Sequence, residues 1–180
     1  MILLGMHKEY VSLEQELRAA VTGLTETEMQ MSPVGKAEKW TVQQIVEHLV
    51  MTYQSTLPLI RERLEKRTPT RAKPMLQQRL GQILILNLRK FPAGRPAPMA
   101  VSPGSTVTQL SGDAMMKRVS AELVTLNELT EKGEKMFAGR RAVSHMVLGP
   151  LSLAQWRRFH LVHGRHHVKQ VLEIRKGRGV

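Results

Sequence analysis

The stretch SLAQWRRFHLVHGRHHVKQVLEI, residues 152–174, decides how this chain is read. Leu153, Trp156, His160, His163, His167, Val171 and Ile174 recur at steps of three and four, the spacing of the buried stripe of a helix. Ser152 and Gln155 stand at the positions of a capping box, which starts the helix. His163 and His167 are at i and i+4 and therefore lie side by side on the apolar face. A buried imidazole without a partner costs roughly 1–3 kcal/mol. A hydrogen-bonded core histidine is the usual outcome for a lone His on such a face, but a pair at this spacing also suits a bound metal ion. His160 shares the face one turn earlier, whereas His166 points off it.

Working outward, four more helices are expected. The first covers about 5–22, with Tyr10, Leu13, Leu17 and Val21 along one side. The second starts at Thr41, whose Gln44 completes another capping box, and runs to about Arg67 with a kink or break at Pro58. Its inner face is traced by Val42, Ile45, Leu49 and Thr52. The third covers about Met75 to Lys90, and the fourth about Gly112 to Phe137. The last ends near Arg175. Residues 91–110 hold four prolines and two glycines and read as a long crossover. Residues 139–150 read as a loop, with no hairpin signal. The expected fold is all-α, a four-helix bundle with one long connection, formed by a single domain over residues 1–180 whose basic end, 175–180, frays.

Composition narrows the function. Hydrophobic residues make up 42% of the 180 but aromatics only 4%, so aliphatic residues and 11 methionines must fill the core. There is no cysteine, which excludes disulfides, thiolate ligands and a cysteine nucleophile. No apolar run is long enough to span a bilayer, the start MILLGM is too short for a signal-peptide core, and a cytoplasmic location without a membrane partner is expected. The net charge is +12, and residues 61–95 carry ten Lys/Arg against two Glu. Such a balance attracts anionic partners, but aromatics are not interleaved with the cations, so nucleic acid is not favoured.

No Gly-rich phosphate loop, His-Glu-x-x-His or Gly-x-Ser-x-Gly occurs, and Asp113 is the only aspartate. An open metal site needs a third protein ligand beside the His pair, and His48, next to the inner-face residues Ile45 and Leu49, is the best candidate. His145 heads the turn before the last helix, where it lines the mouth of a site or caps the turn. Gln170 and Gln44 are candidates to orient the imidazoles, and His160 is a candidate for the same supporting role or for a proton shuttle. Arg157, Arg158 and Arg165 are the cations nearest the His pair and candidates to orient an anionic cosubstrate. No general base stands out, because Glu47 points about 100° away from His48.

The set Trp40-Thr-x-x-Gln-x-x-x-His48-Leu, with His163-x-x-x-His167-x-x-Gln170 more than a hundred residues later, resembles the DinB-like (damage-inducible, YfiT-like) metalloenzyme superfamily. The run Gly149-Pro-Leu-Ser-Leu-Ala-Gln-Trp156 is similar to the lead into the last helix in one branch of it, with Leu148 where that branch often has an aromatic. The resemblance implies an up-down-down-up bundle, often dimeric, with zinc or nickel held by His48, His163 and His167. It implies a small-molecule substrate, a low-molecular-weight thiol among the classes, since relatives include thiol S-transferases and an isomerase. The site would then activate a thiol or water, in transferase-like or hydrolase-like chemistry. The alternative is a basic helical protein that binds nucleic acid or another anionic partner without catalysis.

Overall fold

The computed structural model describes residues 5–92, 94, 96–105 and 108–180, so most of Met1–Met6, the start read against a signal sequence, lies outside the described residues. Five α-helices form: α1 (Lys8–Val21), α2 (Val42–Lys66), α3 (Leu76–Gln82), α4 (Gly112–Phe137) and α5 (Leu153–Arg178). The start signals act as expected. Thr41 with Gln44 and Ser152 with Gln155 form reciprocal capping boxes at α2 and α5, and the Ser111 hydroxyl accepts from the Ala114 amide at α4.

The four long helices enclose the core. α1 lies against α4 and α5, and α2 lies against the same two, so α1 and α2 stand across the bundle from each other. Every stripe residue expected on α1 and on α5 is buried, and Met115, Val119, Leu123 and Leu126 are buried on α4. Close approach is set by glycine at two crossings. A Cβ on Gly112 would sit 1.8 Å from the Val21 carbonyl oxygen, and one on Gly164 would sit 2.5 Å from Leu13 Cδ1. Arg157, buried on α5, reaches Glu9 and Glu134, which ties α5 to α1 and α4.

Four expectations are corrected. α2 is not split at Pro58, which lies on the exposed side of the helix, where the carbonyl freed by its missing N–H faces water. α5 does not end near Arg175 but continues to Arg178, because Arg175 donates to the Ala20 carbonyl and Arg178 to the Ser32 carbonyl. The basic end is thus helical almost throughout. The 139–150 loop contains a two-stranded antiparallel ribbon, β1 (Val143–His145) with β2 (Gly149–Leu151). Finally, α3 ends at Gln82 and continues as a π-helical turn over 83–87, with the Leu88 amide reaching back to the Ile83 carbonyl. Among its described residues the crossover carries a short turn of helix, Met99–Val101, which lies against α2.

Candidate metal centre

His48 comes from the middle of α2, and His163 and His167 come from adjacent turns of α5. All three are buried. Their Nε2 atoms converge: His163 Nε2 is 3.1 Å from His48 Nε2 and 3.0 Å from His167 Nε2. The ligand-capable atoms of all three lie within 4.8 Å of one another. Nitrogens bound at 2.0–2.1 Å to one cation stand about 2.9–3.4 Å apart for octahedral to tetrahedral angles. The two short separations match that range.

The hydrogen bonds behind the rings fix the tautomers. His48 Nδ1 faces the Val101 carbonyl oxygen at 2.6 Å, and His167 Nδ1 faces Gln170 Oε1 at 2.7 Å. Both partners are acceptors, so each Nδ1 carries the proton and each Nε2 presents a lone pair inward. Two lone pairs therefore aim at a third imidazole, which can donate to only one of them. His163 Nδ1 finds no partner among the described residues. A divalent cation would satisfy all three Nε2 atoms together, and the donor set suits one once His48 and His167, whose ligand atoms lie within 4.8 Å, draw in around it.

Burial also keeps the rings neutral, the form that binds a cation. It pushes the His167 imidazole down to about 3, with His48 adding to the effect. It holds His163 well below the ordinary histidine value, helped by the neighbouring His167 and His48. His48 is lowered by burial too, opposed by its bond to the Val101 carbonyl.

Aromatic rings wall the cluster. Phe159 stacks on His163 with centroids 5.4 Å apart, Phe91 lies 4.9 Å from His163, and Trp40 lies 5.0 Å from His48. Phe91 also covers His166, which is half-buried rather than solvent-facing, and the Gln170 amide nitrogen lies 3.3 Å from His166 Nε2.

The remaining candidates divide. Gln170 stands where expected, on His167. Gln44 does not touch His48. Its carboxamide accepts from the Thr41 amide and donates to the Gly104 carbonyl, since the capping box takes its oxygen. It acts instead on the crossover that carries Val101. His145 Nδ1 accepts from the amides of Val147 and Leu148, so it caps the β1–β2 turn, and its ring packs on Trp156 and Phe159. His160 is fully buried among Tyr53, Trp156 and Phe159, with no hydrogen-bond partner for either ring nitrogen among the described residues. Arg157, Arg158 and Arg165 are engaged with carboxylates of α1 and α4: Glu9 and Glu134 take Arg157, Glu9 takes Arg158, and Glu16 takes Arg165. Sequence reasoning missed Val101 and Phe91, both in the Pro-rich crossover. A backbone carbonyl leaves no trace in residue type, and a lone Phe after a helix gives no periodic signal.

A family model of the DinB superfamily matches residues 9–171. The chain belongs to the DinB superfamily. The match runs from the second residue of α1 to Val171, seven residues before the end of α5, and includes the three histidines. No curated protein and no solved structure gives a significant match to this DinB-superfamily chain.

Proposed function

We propose that this protein is a divalent-metal-dependent enzyme that activates a thiol or a water molecule at His48, His163 and His167. The observation that carries the reading is the convergence of three neutral, buried Nε2 atoms, two of them oriented by Val101 and Gln170. A three-His set leaves further coordination positions open, as catalytic sites do and closed structural sites do not. The cation would supply Lewis acidity there, lowering the pKa of the thiol or water that reaches it.

The chain's own residues do the rest. The Val101 carbonyl and Gln170 hold two rings in the binding tautomer. Phe91, Phe159 and Trp40 exclude bulk water and present an apolar rim, which suits a small substrate with an apolar body. Zinc and nickel both accept imidazole, and three histidines do not separate them.

The test is an activity screen of zinc- and nickel-loaded protein beside the His163→Ala variant. One arm follows conjugation of a low-molecular-weight thiol to an electrophilic acceptor, and the other follows hydrolysis of an activated ester. Turnover that needs both the metal and His163 supports the reading. Turnover equal in the variant, or none in either arm with a fully loaded site, argues for a metal without this catalytic role.

A further inference from the structure

We infer that the face built by α3, its continuation to Leu88 and the adjoining cationic cleft binds the surface of an anionic phospholipid bilayer. The inference is independent of the metal reading. It concerns the opposite question from a spanning segment, since no helix of the described residues is long and apolar enough to cross a membrane.

The first observation is an inverted helix. α3 turns Gln82 inward, where its amide donates to the Leu148 carbonyl, and sets Gln78 against Gly149. Its leucines point out. Met75, Leu76, Leu80, Ile83, Leu84 and Leu88 are between 38% and 74% exposed. Leu76, Leu80, Ile83 and Leu84 follow helical spacing and form one stripe. The β1–β2 turn packs on the inner side of the helix through the Gln82 bond, and its tip carries exposed Met146 and Val147. A contiguous apolar face of this kind marks a docking surface.

The second observation is the charge around it. From Lys66 to Gly112 the sequence has eight Lys/Arg and no Asp or Glu. Immediately before α3, a cleft of about 600 Å3 is lined by Arg71, Lys73, Arg140 and Arg141 and by no carboxylate. The Thr70 amide donates to the Arg141 carbonyl and holds the two cationic segments together. None of the four cations has an ion-pair partner among the described residues.

Exposed apolar side chains next to a cleft lined by cations and no carboxylate match the interfacial helix that lies in the headgroup plane of an anionic membrane. They do not match a second copy of the same face, because pairing would oppose two cation-lined clefts. The proposal runs against the expectation of no membrane partner, which rested on the absence of a spanning segment.

The experiment is co-sedimentation of the full chain with vesicles of phosphatidylcholine mixed equally with phosphatidylglycerol, and with phosphatidylcholine alone. The wild type should bind the anionic vesicles and not the neutral ones, less at about 0.5 M than at about 0.1 M salt. Leu80→Glu with Ile83→Glu, and separately Lys73→Ala with Arg141→Ala, should each weaken binding by about tenfold or more. All four positions are exposed, and circular dichroism checks that the fold is kept. No binding to anionic vesicles, or equal binding to neutral ones, overturns the inference. So does a dimer in solution that Leu80→Glu with Ile83→Glu dissociates, which assigns the face to a second copy. Binding of inorganic pyrophosphate in the cleft without vesicle binding also overturns it, in favour of a free phosphate compound.

Discussion

His48 and His163 are separated by 115 residues in sequence, yet their Nε2 atoms stand 3.1 Å apart in the bundle interior. Two imidazole nitrogens at that distance share a proton or share a cation. The Val101 carbonyl takes the proton-bearing side of His48, so the inward side is a lone pair. His167 arrives in the same state through Gln170. Two inward lone pairs thus face a third imidazole that offers one proton, the imbalance a bound cation would relieve.

Gln170→Leu should expose this support directly. The substitution removes the acceptor that fixes the His167 tautomer, and loss of such a group typically costs 10–100-fold in metal affinity. Competition for zinc against a chromophoric chelator would read the change. Gln44→Ala should cost less, because Gln44 reaches the site only through Gly104 and the crossover. Unchanged affinity in Gln170→Leu would mean that the ring is held by packing alone.

The fully buried His160 predicts an acid-side loss of stability. Its pKa is pushed down to about 3 by burial, with His145 adding to the effect, against an ordinary value near 6.5 in the unfolded chain. Between those values the unfolded state binds the extra proton, so stability rises with pH there and is lost as pH falls from about 6.5 toward 3. The loss from this one group is on the order of 2 kcal/mol between about pH 6.5 and 5. In metal-free protein, His160→Phe should flatten the fall of Tm over that window. An identical pH profile in the variant would show that His160 does not resist protonation in the folded protein.

Gly112→Ala tests the α1–α4 crossing. The added methyl would meet the Val21 carbonyl at 1.8 Å, and a backbone atom cannot rotate away. Forced overpacking costs about 1–3 kcal/mol. Gly164→Ala meets the end of the Leu13 side chain instead, which can shift, so chemical denaturation should rank Gly112→Ala as the more damaging. Equal stabilities would contradict the spacing of these helices.

Much of this was legible in the residues. Capping boxes placed the starts of α2 and α5, and period-3.6 stripes identified the buried faces of α1, α2 and α5. The i, i+4 His pair sits in one such stripe, and His48 could be singled out by its place beside Ile45 and Leu49. The resemblance carried by these motifs supplied the three-histidine ligand set, and the family match confirms the family itself. What failed was local. Three-residue strands carrying Gly149 and Pro150 give no alternation to read. Pro58 was harmless because of the side it faces. In α3 the apolar periodicity was present but its direction was not, since nothing in sequence says that Gln82 goes in while Leu76 and Leu80 face out. Gln44 had two plausible duties, and its own capping box won.

The most direct test of the account is the metal content of purified, untagged protein after exposure to zinc or nickel, measured by elemental mass spectrometry beside His163→Ala. The account predicts about one cation per chain in the wild type and loss of it in the variant, with a lower Tm after chelation of the wild type only. No uptake by either protein, or equal uptake by both, would contradict a metal centre at His48, His163 and His167.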